Sequence, residues 1–380
     1  MVRAIKYRIY PNCEQAVLFA KTFGCCRKIW NLMLSDKIGG YKATGRFPAV
    51  TPAMYKKAYP YFREVDSLAL ANKQQDLQDA FSNCFSKSRK KRTGFPKFKS
   101  AKHSRKSYTT NNQKGTVAIT DKGVRLPKAG VVKAVIHRKP EPGWTLRSAT
   151  VSKEPDGTYY VSIIFNTNTE TEPHDIDLMN SVGFDYASDG LFTDSSGHKG
   201  TEHKYFRESQ DKLAKEQRRL SRKVGSRKGS AKSKNYLKQK TKVAKIQKHI
   251  ANQRLDNLQK MSTGIANRYD VVCVESLDMR AMSNKGFGNG KATMDNGYGM
   301  FVNILQYKME SRGKYLIKVD KWFPSSQLCH NCGRRDRGMK DLKIRSMHCS
   351  CGCRIDRDWN AAINILREGL KVLKEMLDAA

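Results

Sequence analysis

The chain has 380 residues, 39% of them hydrophobic, enough for two or three domains with cores of their own. It carries 72 Lys and Arg against 35 Asp and Glu, a formal net charge of +37. That excess goes beyond solubility and predicts a polyanionic partner, nucleic acid above all. No run of about 18 apolar residues occurs, which excludes a membrane-spanning helix. The opening residues lack the apolar core of a secretion signal, so a cytosolic protein is expected, in which cysteines serve as metal ligands, catalytic groups or core residues rather than disulfides.

In chain order, Ile5, Tyr7 and Ile9 alternate with Lys6 and Arg8, the period of a strand. Asn12 followed three residues later by Gln15 is a capping box, and Phe19, Phe23, Cys26, Trp30 and Met33 recur at helical spacing behind it. Cys25 and Cys26 lie inside that pattern and read as buried thiols. A second helix is predicted over residues 67–88, with Leu77, Ala80, Phe81, Cys84 and Phe85 on one face. The chain then turns basic in KSRKKRTGFPKFKSAKHSRK, where Phe95 and Phe98 interleave with lysines. Cations with aromatics suit phosphates and stacked bases; a solvated linker is the plainer alternative.

Residues 115–166 read as hairpins, with Asp156-Gly157 as a turn signal. The acidic, proline-containing NTNTETEPHDID at 166–177 reads as a linker, with a boundary near 180. A short apolar strand then ends at Asp185, and a second covers Leu191 to Thr193. Residues 204–266 form a helical stretch broken near Gly225 and Gly229. Between Lys212 and Lys248 it holds 15 Lys and Arg and one acid, Glu216, while Val243, Ile246, Ile250, Leu258, Met261 and Ile265 keep an apolar stripe. A packed helical hairpin with a basic, phosphate-tracking outer face follows. YDVVCVESL is a buried strand ending at Glu275. A glycine-rich, mobile loop, a helix over 299–312 and the strand YLIKVDKWF complete the approach to the cysteines.

Cys329 and Cys332 form one C-x-x-C, and Cys349, Cys351 and Cys353 follow after a gap of 16 residues. Two close pairs separated by such a loop suit a tetrahedral thiolate zinc site with all four positions filled, hence structural. Five cysteines compete for four positions. Gly333 follows Cys332 as Gly352 follows Cys351, which favours Cys349 and Cys351 as the second pair, with Cys353 the competitor for the last position.

Asp185, Glu275 and Asp358 each stand at an apolar strand end or a helix start. One such acid means little. Three, in a basic chain with a thiolate ribbon, suggest a shared Mg²⁺ site that leaves positions for water and phosphate oxygens, the arrangement for phosphodiester hydrolysis. Asp356 and Asp278 read instead as helix caps or surface charges.

The runs GFDY, VCVESL, FPSSQLCHNCG, CSCG and DRDWNAAINI, with YRIYPNCEQ, GFPKFKS and GTYYVSIIF upstream, resemble the TnpB family of transposon-associated RNA-guided nucleases, relatives of the type V CRISPR effectors. The resemblance covers nearly the whole chain. It implies an α/β plus β architecture: a wedge β-barrel domain (1–14 and 105–180) interrupted by a helical recognition lobe (15–104), then a RuvC-like nuclease domain with an RNase H fold (181–380) carrying a basic helical insertion (204–266) and a zinc ribbon (326–354). By the same likeness Asp185, Glu275 and Asp358 match the catalytic acids holding two Mg²⁺ ions, and Cys329, Cys332, Cys349 and Cys351 match the ligands of one structural Zn²⁺. It implies a guide RNA, target double-stranded DNA and its displaced strand as partners, a short adjacent motif read by protein, no required protein partner, and a bacterial nucleoid-associated location. The chain has Ala187 where the family usually has glycine. Two other readings stand beside the endonuclease: a catalytically silent guided DNA-binding regulator, and a transposase proper.

Overall fold

The computed structural model describes residues 2–86, 93–167, 175–200, 204–224, 232–284, 290–341 and 343–379. The basic stretch 87–92, most of the acidic linker (168–174), Gly225 and Gly229, and residues 285–289 of the glycine-rich loop lie outside the described residues. The chain divides into two compact units, Met1–Glu170 and Thr171–Ala380. Among the described residues no helix is long and apolar enough to cross a membrane.

The first unit is built on a seven-stranded sheet in the order β2-β6-β7-β1-β5-β4-β3. Strand β1 (Val2–Tyr10) lies inside it, antiparallel to β7 (Tyr159–Asn166) and β5 (Gly130–Val135). Its alternation sends Ile5, Tyr7 and Ile9 into the core and Lys6 and Arg8 outward. The expected hairpins are β3 (Ala118–Thr120) with β4 (Gly123–Leu126), and β6 (Thr145–Lys153) with β7. Strand β2 (Lys106–Asn111) carries little sequence signal, since KSYTTN has one large apolar residue; pairing with β6 buries that residue, Tyr108.

Between β1 and β2 the chain makes helices α1 (Cys13–Thr44) and α2 (Ser67–Phe85). Asn12 and Gln15 form the reciprocal cap of α1, and Gly45 ends the helix in the left-handed region at φ 69°. Phe19, Phe23, Cys26, Ile29, Trp30 and Met33 face the core, and both adjacent cysteines are buried there.

The second unit centres on a four-stranded sheet in the order β11-β10-β8-β9. Strand β8 (Ser181–Ala187) is parallel to β10 (Val271–Glu275), which is parallel to β11 (Tyr315–Val319); β9 (Leu191–Asp194) folds back antiparallel on β8. Continuous apolar runs mark β8 and β10 as covered on both faces. Val182, Phe184, Val272 and Val274 meet Leu258 of α4 (Lys234–Arg268) and Phe301 and Leu305 of α7 (Tyr298–Glu310). Val271, Cys273, Ile317 and Val319 meet Ile365 and Leu373 of α8 (Arg357–Asp378) on the other face.

The basic stretch forms α3 (Tyr205–Arg222) packed on α4 through Leu213, Val243 and Ile250. The one acid between Lys212 and Lys248 is consumed in that packing: Glu216, 5% exposed, accepts from Gln239 Nε2 at 2.6 Å and from Arg219 Nη1 at 2.8 Å. The cations are left to the outer surface. The short helices α5 (Met279–Met282) and α6 (Gly290–Asn296) precede α7. Strands β12 (Ser346–His348) and β13 (Arg354–Asp356) form the hairpin that runs into α8.

Candidate active site and thiolate cluster

Side chains alternate across a strand, so Asp185 shares a face with Gly183, and Glu275 shares one with Val271 and Cys273. That is the face α8 covers. The parallel register pairs Gly183 with Cys273 and Phe184 with Val274, which puts Asp185 and Glu275 side by side at the carboxyl ends of neighbouring strands. In open sheets with parallel strands this is where ligands bind. Gly183 lets the helix come close: a Cβ there would lie 2.3 Å from the carbonyl oxygen of Ala362 on α8.

The third acid arrives with that helix. Asp356 caps α8, its carboxylate accepting from the N–H groups of Asp358 and Trp359. Asp358 sits in the first turn, where the helix dipole favours an anion, and is 8% exposed. Trp359 Nε1 donates to Ser195 O at 3.0 Å, tying the start of α8 to the end of β9. Asp278 likewise caps α5, accepting from the N–H groups of Arg280 and Ala281.

Electrostatically the three acids are one cluster. Burial raises the Asp185 pKa well above the carboxylate range, and the charges of Glu275 and then Asp358 raise it further; Arg357 and the Tyr186 N–H oppose them. Burial alone pushes Glu275 up to about 7. Arg345, from the loop before β12, sets Nη2 2.5 Å from Asp358 Oδ2. No cation pairs with Asp185 or Glu275 among the described residues.

Three features here left no sequence signal. Thr193 lies opposite Asp185 in the β8–β9 register, so the two side chains share a face roughly 5 Å apart. Its hydroxyl and that of Tyr298 are buried without a hydrogen-bond partner among the described residues. The Tyr298 phenol is held protonated by burial and by the charges of Asp185 and Glu275. Arg345 lies in an unremarkable basic loop. A hydrated divalent cation fits this site: the donors are hard oxygens, the negative charge is undercompensated, and two buried hydroxyls have bonds still to make. Among the described residues the three carboxylates do not gather within 4.8 Å of one another.

The cysteines contract further. Among the described residues, the sulfurs of Cys329, Cys332, Cys349 and Cys351 alone form a ligand group within 4.8 Å of one another. Cys329 to Cys351 is 3.7 Å and Cys332 to Cys349 is 3.5 Å. A tetrahedron with Zn–S bonds of about 2.3 Å has edges of about 3.8 Å, so the set suits one structural zinc. Gly333 and Gly352 close the two knuckles at φ 73° and 87°, donating to Cys329 O and Cys349 O. The Cys353 N–H helps pull Cys351 down to about 6. Burial raises Cys329, but the N–H groups of Cys332 and Asn331 outweigh it and favour the thiolate. Cys353 stays outside the four, its sulfur 3.6 Å from His330 Nδ1.

The ribbon is bolted to α8. Asn360, fully buried, accepts the His330 N–H at 2.9 Å and donates to Leu328 O at 2.7 Å. One turn on, Asn364 donates to Ser325 O and Leu328 O. The thiolate knuckle thus grips the helix that delivers Asp358.

A mixed sheet with acids at the carboxyl ends of its parallel strands, a third acid on the covering helix and a four-thiolate ribbon clamped to that helix defines a narrow class. Three family models match the chain: "Helix-turn-helix domain" over residues 1–46, "Probable transposase" over 165–285 and "Cas12f1-like, TNB domain" over 298–365. The first of these segments is β1 and the single helix α1 with its cap. A Streptomyces pristinaespiralis protein named "Putative RNA-guided DNA endonuclease" is 34% identical over 97% of this chain and 89% of its own length. An Escherichia coli K12 protein named "Putative RNA-guided DNA endonuclease InsQ" is 27% identical over 98% and 93%. The chain belongs to the TnpB family of IS605 OrfB-type proteins. Its fold is similar to that of Cas12f1 in a complex with sgRNA and target DNA, with a TM-score of 0.56 at 12% identity, covering 96% of this chain and 98% of that one.

Proposed function

We propose that this chain is an RNA-guided, Mg²⁺-dependent DNA endonuclease encoded by a transposon, cutting target DNA beside a short adjacent motif. The observation that carries the reading is the meeting of Asp185 and Glu275, on adjacent parallel strands, with Asp358 on the helix that covers them. The names of the two full-length relatives support the activity and the RNA guide. On this reading the second unit is a RuvC-like nuclease of RNase H type. The first unit is a wedge sheet interrupted by a recognition lobe formed by α1 and α2.

Asp185, Glu275 and Asp358 would hold two Mg²⁺ ions. Those ions, when bound, activate the attacking water and stabilise the leaving oxygen of the phosphodiester. The chain's own groups prepare the site. Burial keeps Asp185 and Glu275 poorly solvated, and no cation among the described residues pairs with either, which favours capture of divalent ions. The Thr193 and Tyr298 hydroxyls offer hydrogen bonds to site oxygens. Cys329, Cys332, Cys349 and Cys351 hold one structural zinc that stiffens the ribbon behind α8. The basic face of α3 and α4 draws in the polyanion.

Expressed with its native flanking DNA and purified in moderate salt, the protein is expected to carry one discrete RNA with a constant scaffold and a distinct end segment. Loaded with that RNA, it should cut matched DNA in Mg²⁺, and Asp185→Ala should keep target binding while cleavage falls at least 10³-fold. Cleavage by Asp185→Ala at the wild-type rate would overturn the site. Binding without cleavage by the intact chain would identify a guided regulator, and joining of transposon ends a transposase.

A further inference from the structure

The first unit carries an open cleft of about 560 Å³ between α1, α2 and the segment that follows α1. Its walls are Met33, Phe47, Leu77, Phe81 and Phe85. The aromatic rings form an incomplete stack. Tyr41 lies parallel to Phe47 at 4.6 Å and 18°, and Phe81 parallel to Phe85 at 6.1 Å and 18°. Phe47 tilts against Phe81 at 5.0 Å, and Phe95 meets Phe81 edge-on at 5.4 Å. Such stacks normally end against more protein. Here Phe47 is 36% exposed, Tyr41 50% and Phe85 56%, so flat ring faces open to solvent.

Two amides line the same cleft. Gln74 and Gln78 stand one helical turn apart on α2, and neither side chain has a hydrogen-bond partner among the described residues. Lys37, on the opposite wall, sits 5.7 Å from the Phe81 ring and donates to Pro48 O. Exposed Lys42 and Arg46 flank Tyr41 and Phe47 in sequence. The site therefore offers stacking faces, free donor–acceptor edges and a cationic rim.

We propose that this cleft takes an unpaired nucleobase of the bound nucleic acid, stacked on the exposed rings of Phe47 and Phe85 with its edge toward Gln74 and Gln78. An aliphatic ligand would make no use of either amide, and a chain with 37 excess positive charges brings a polyanion to the rim. A base has the π-face and the polar edge together. A glutamine amide matches the N6 and N7 edge of adenine, so adenine is the preferred occupant. The inference rests on the nucleic-acid-binding reading above and adds a site to it.

The test uses the full chain copurified with its RNA, with and without matched target DNA. Short-wave ultraviolet irradiation, digestion and mass spectrometry locate base–peptide adducts. Adducts on peptides containing Tyr41, Phe47 or Phe85 are expected. Their presence without target assigns the base to the RNA; their appearance only with target assigns it to DNA. Phe47→Leu keeps the cleft apolar and removes a ring, and should weaken affinity for the strand that carries the adduct about 5- to 150-fold, the range for one base–aromatic stack. The double variant Gln74→Ala, Gln78→Ala alters only solvent-accessible helix positions and should remove the adenine preference. Adducts confined to other regions, or wild-type affinity in both variants, would overturn the proposal. If the wild-type complex still carries RNA and cuts DNA in that case, only the cleft is refuted; if it carries no RNA, the guided reading itself fails.

Discussion

Asp270 and Glu275 stand at opposite ends of β10 and are treated in opposite ways. Asp270 meets Lys314 Nζ at 2.9 Å, with both side chains 9% exposed. Arg254 and Asp295 repeat that solution at 3.0 Å, the Asp295 side chain 2% exposed. Among the described residues Glu275 has no such cation, and neither does Asp185 beside it. Each buried acid costs free energy through desolvation, and a matched cation offsets that cost. Where the second unit needs an acid for architecture it supplies the cation; at the carboxyl ends of β8 and β10 it withholds it. The missing compensation marks the site more sharply than the acids themselves do.

The thiolate ribbon is the extreme case of charge left for an ion to neutralise, and removing that ion has the largest expected effect. Structural zinc in small ribbons contributes about 10–16 kcal/mol of apparent binding free energy. A strong chelator, or Cys351→Ser, should release one zinc per chain and unfold the segment around residues 326–354, read by metal analysis and amide hydrogen exchange. Cys353→Ser should retain the metal. Zinc loss from Cys353→Ser with retention in Cys351→Ser would reverse the assignment of the fourth ligand.

Breaking the compensated end comes next. Lys314→Ala removes the cation from buried Asp270, whose carboxylate still accepts the Asp177 N–H, and costs about 3–5 kcal/mol in urea unfolding. Mg²⁺ affinity of the folded protein should stay at the wild-type value, because Lys314 lies at the amino end of the sheet. A large fall in Mg²⁺ affinity would mean the two ends of β10 are not independent. Gly183→Ala attacks the uncompensated end through its geometry. The added methyl must move α8 off the sheet, costing about 1–3 kcal/mol. Because the displaced element carries Asp358, Mg²⁺ affinity should fall as well, measured by calorimetry under conditions where the variant remains folded.

Much of this was legible in the residues. Period-2 alternation marked β1, the continuous apolar runs marked β8 and β10, and both Asp356 and Asp278 cap helices, one of the two roles expected for them. The glycines after Cys332 and Cys351 pointed to the pair of knuckles whose four sulfurs the structure gathers. What was not legible depends on packing between distant segments. Strand β2 is polar and exists because β6 gives it a partner. Thr193, Tyr298 and Arg345 reach the acids through register and helix packing, and no local pattern distinguishes them. The cleft at Phe47 is half visible in the sequence, since aromatics interleave with lysines around Phe95, but the ring stack is completed by α1 and α2.

An effect no larger than that of Gly183→Ala is the most direct test of the missing cation. Glu275 titrates near 7 in the folded chain against 4.5 for a free carboxyl, because burial disfavours its charged form. The folded state therefore binds this proton more tightly than the unfolded state does. From about pH 4.5 upward the folded form holds more protons, so stability falls as pH rises, and the loss is complete above about pH 7. Glu275→Gln removes the charge and keeps the shape. In metal-free buffer at pH 8 the variant should be more stable than wild type by about 1–3 kcal/mol, allowing for the partial exposure of the carboxyl, and the difference should vanish near pH 4. Mg²⁺ should reverse the order at pH 8, since only the wild-type carboxylate gains by holding the ion. Urea midpoints at the two pH values, each with and without Mg²⁺, provide the check. A wild type already as stable as the variant in metal-free buffer at pH 8 would mean that Glu275 is compensated after all, and the contrast with Asp270 would disappear.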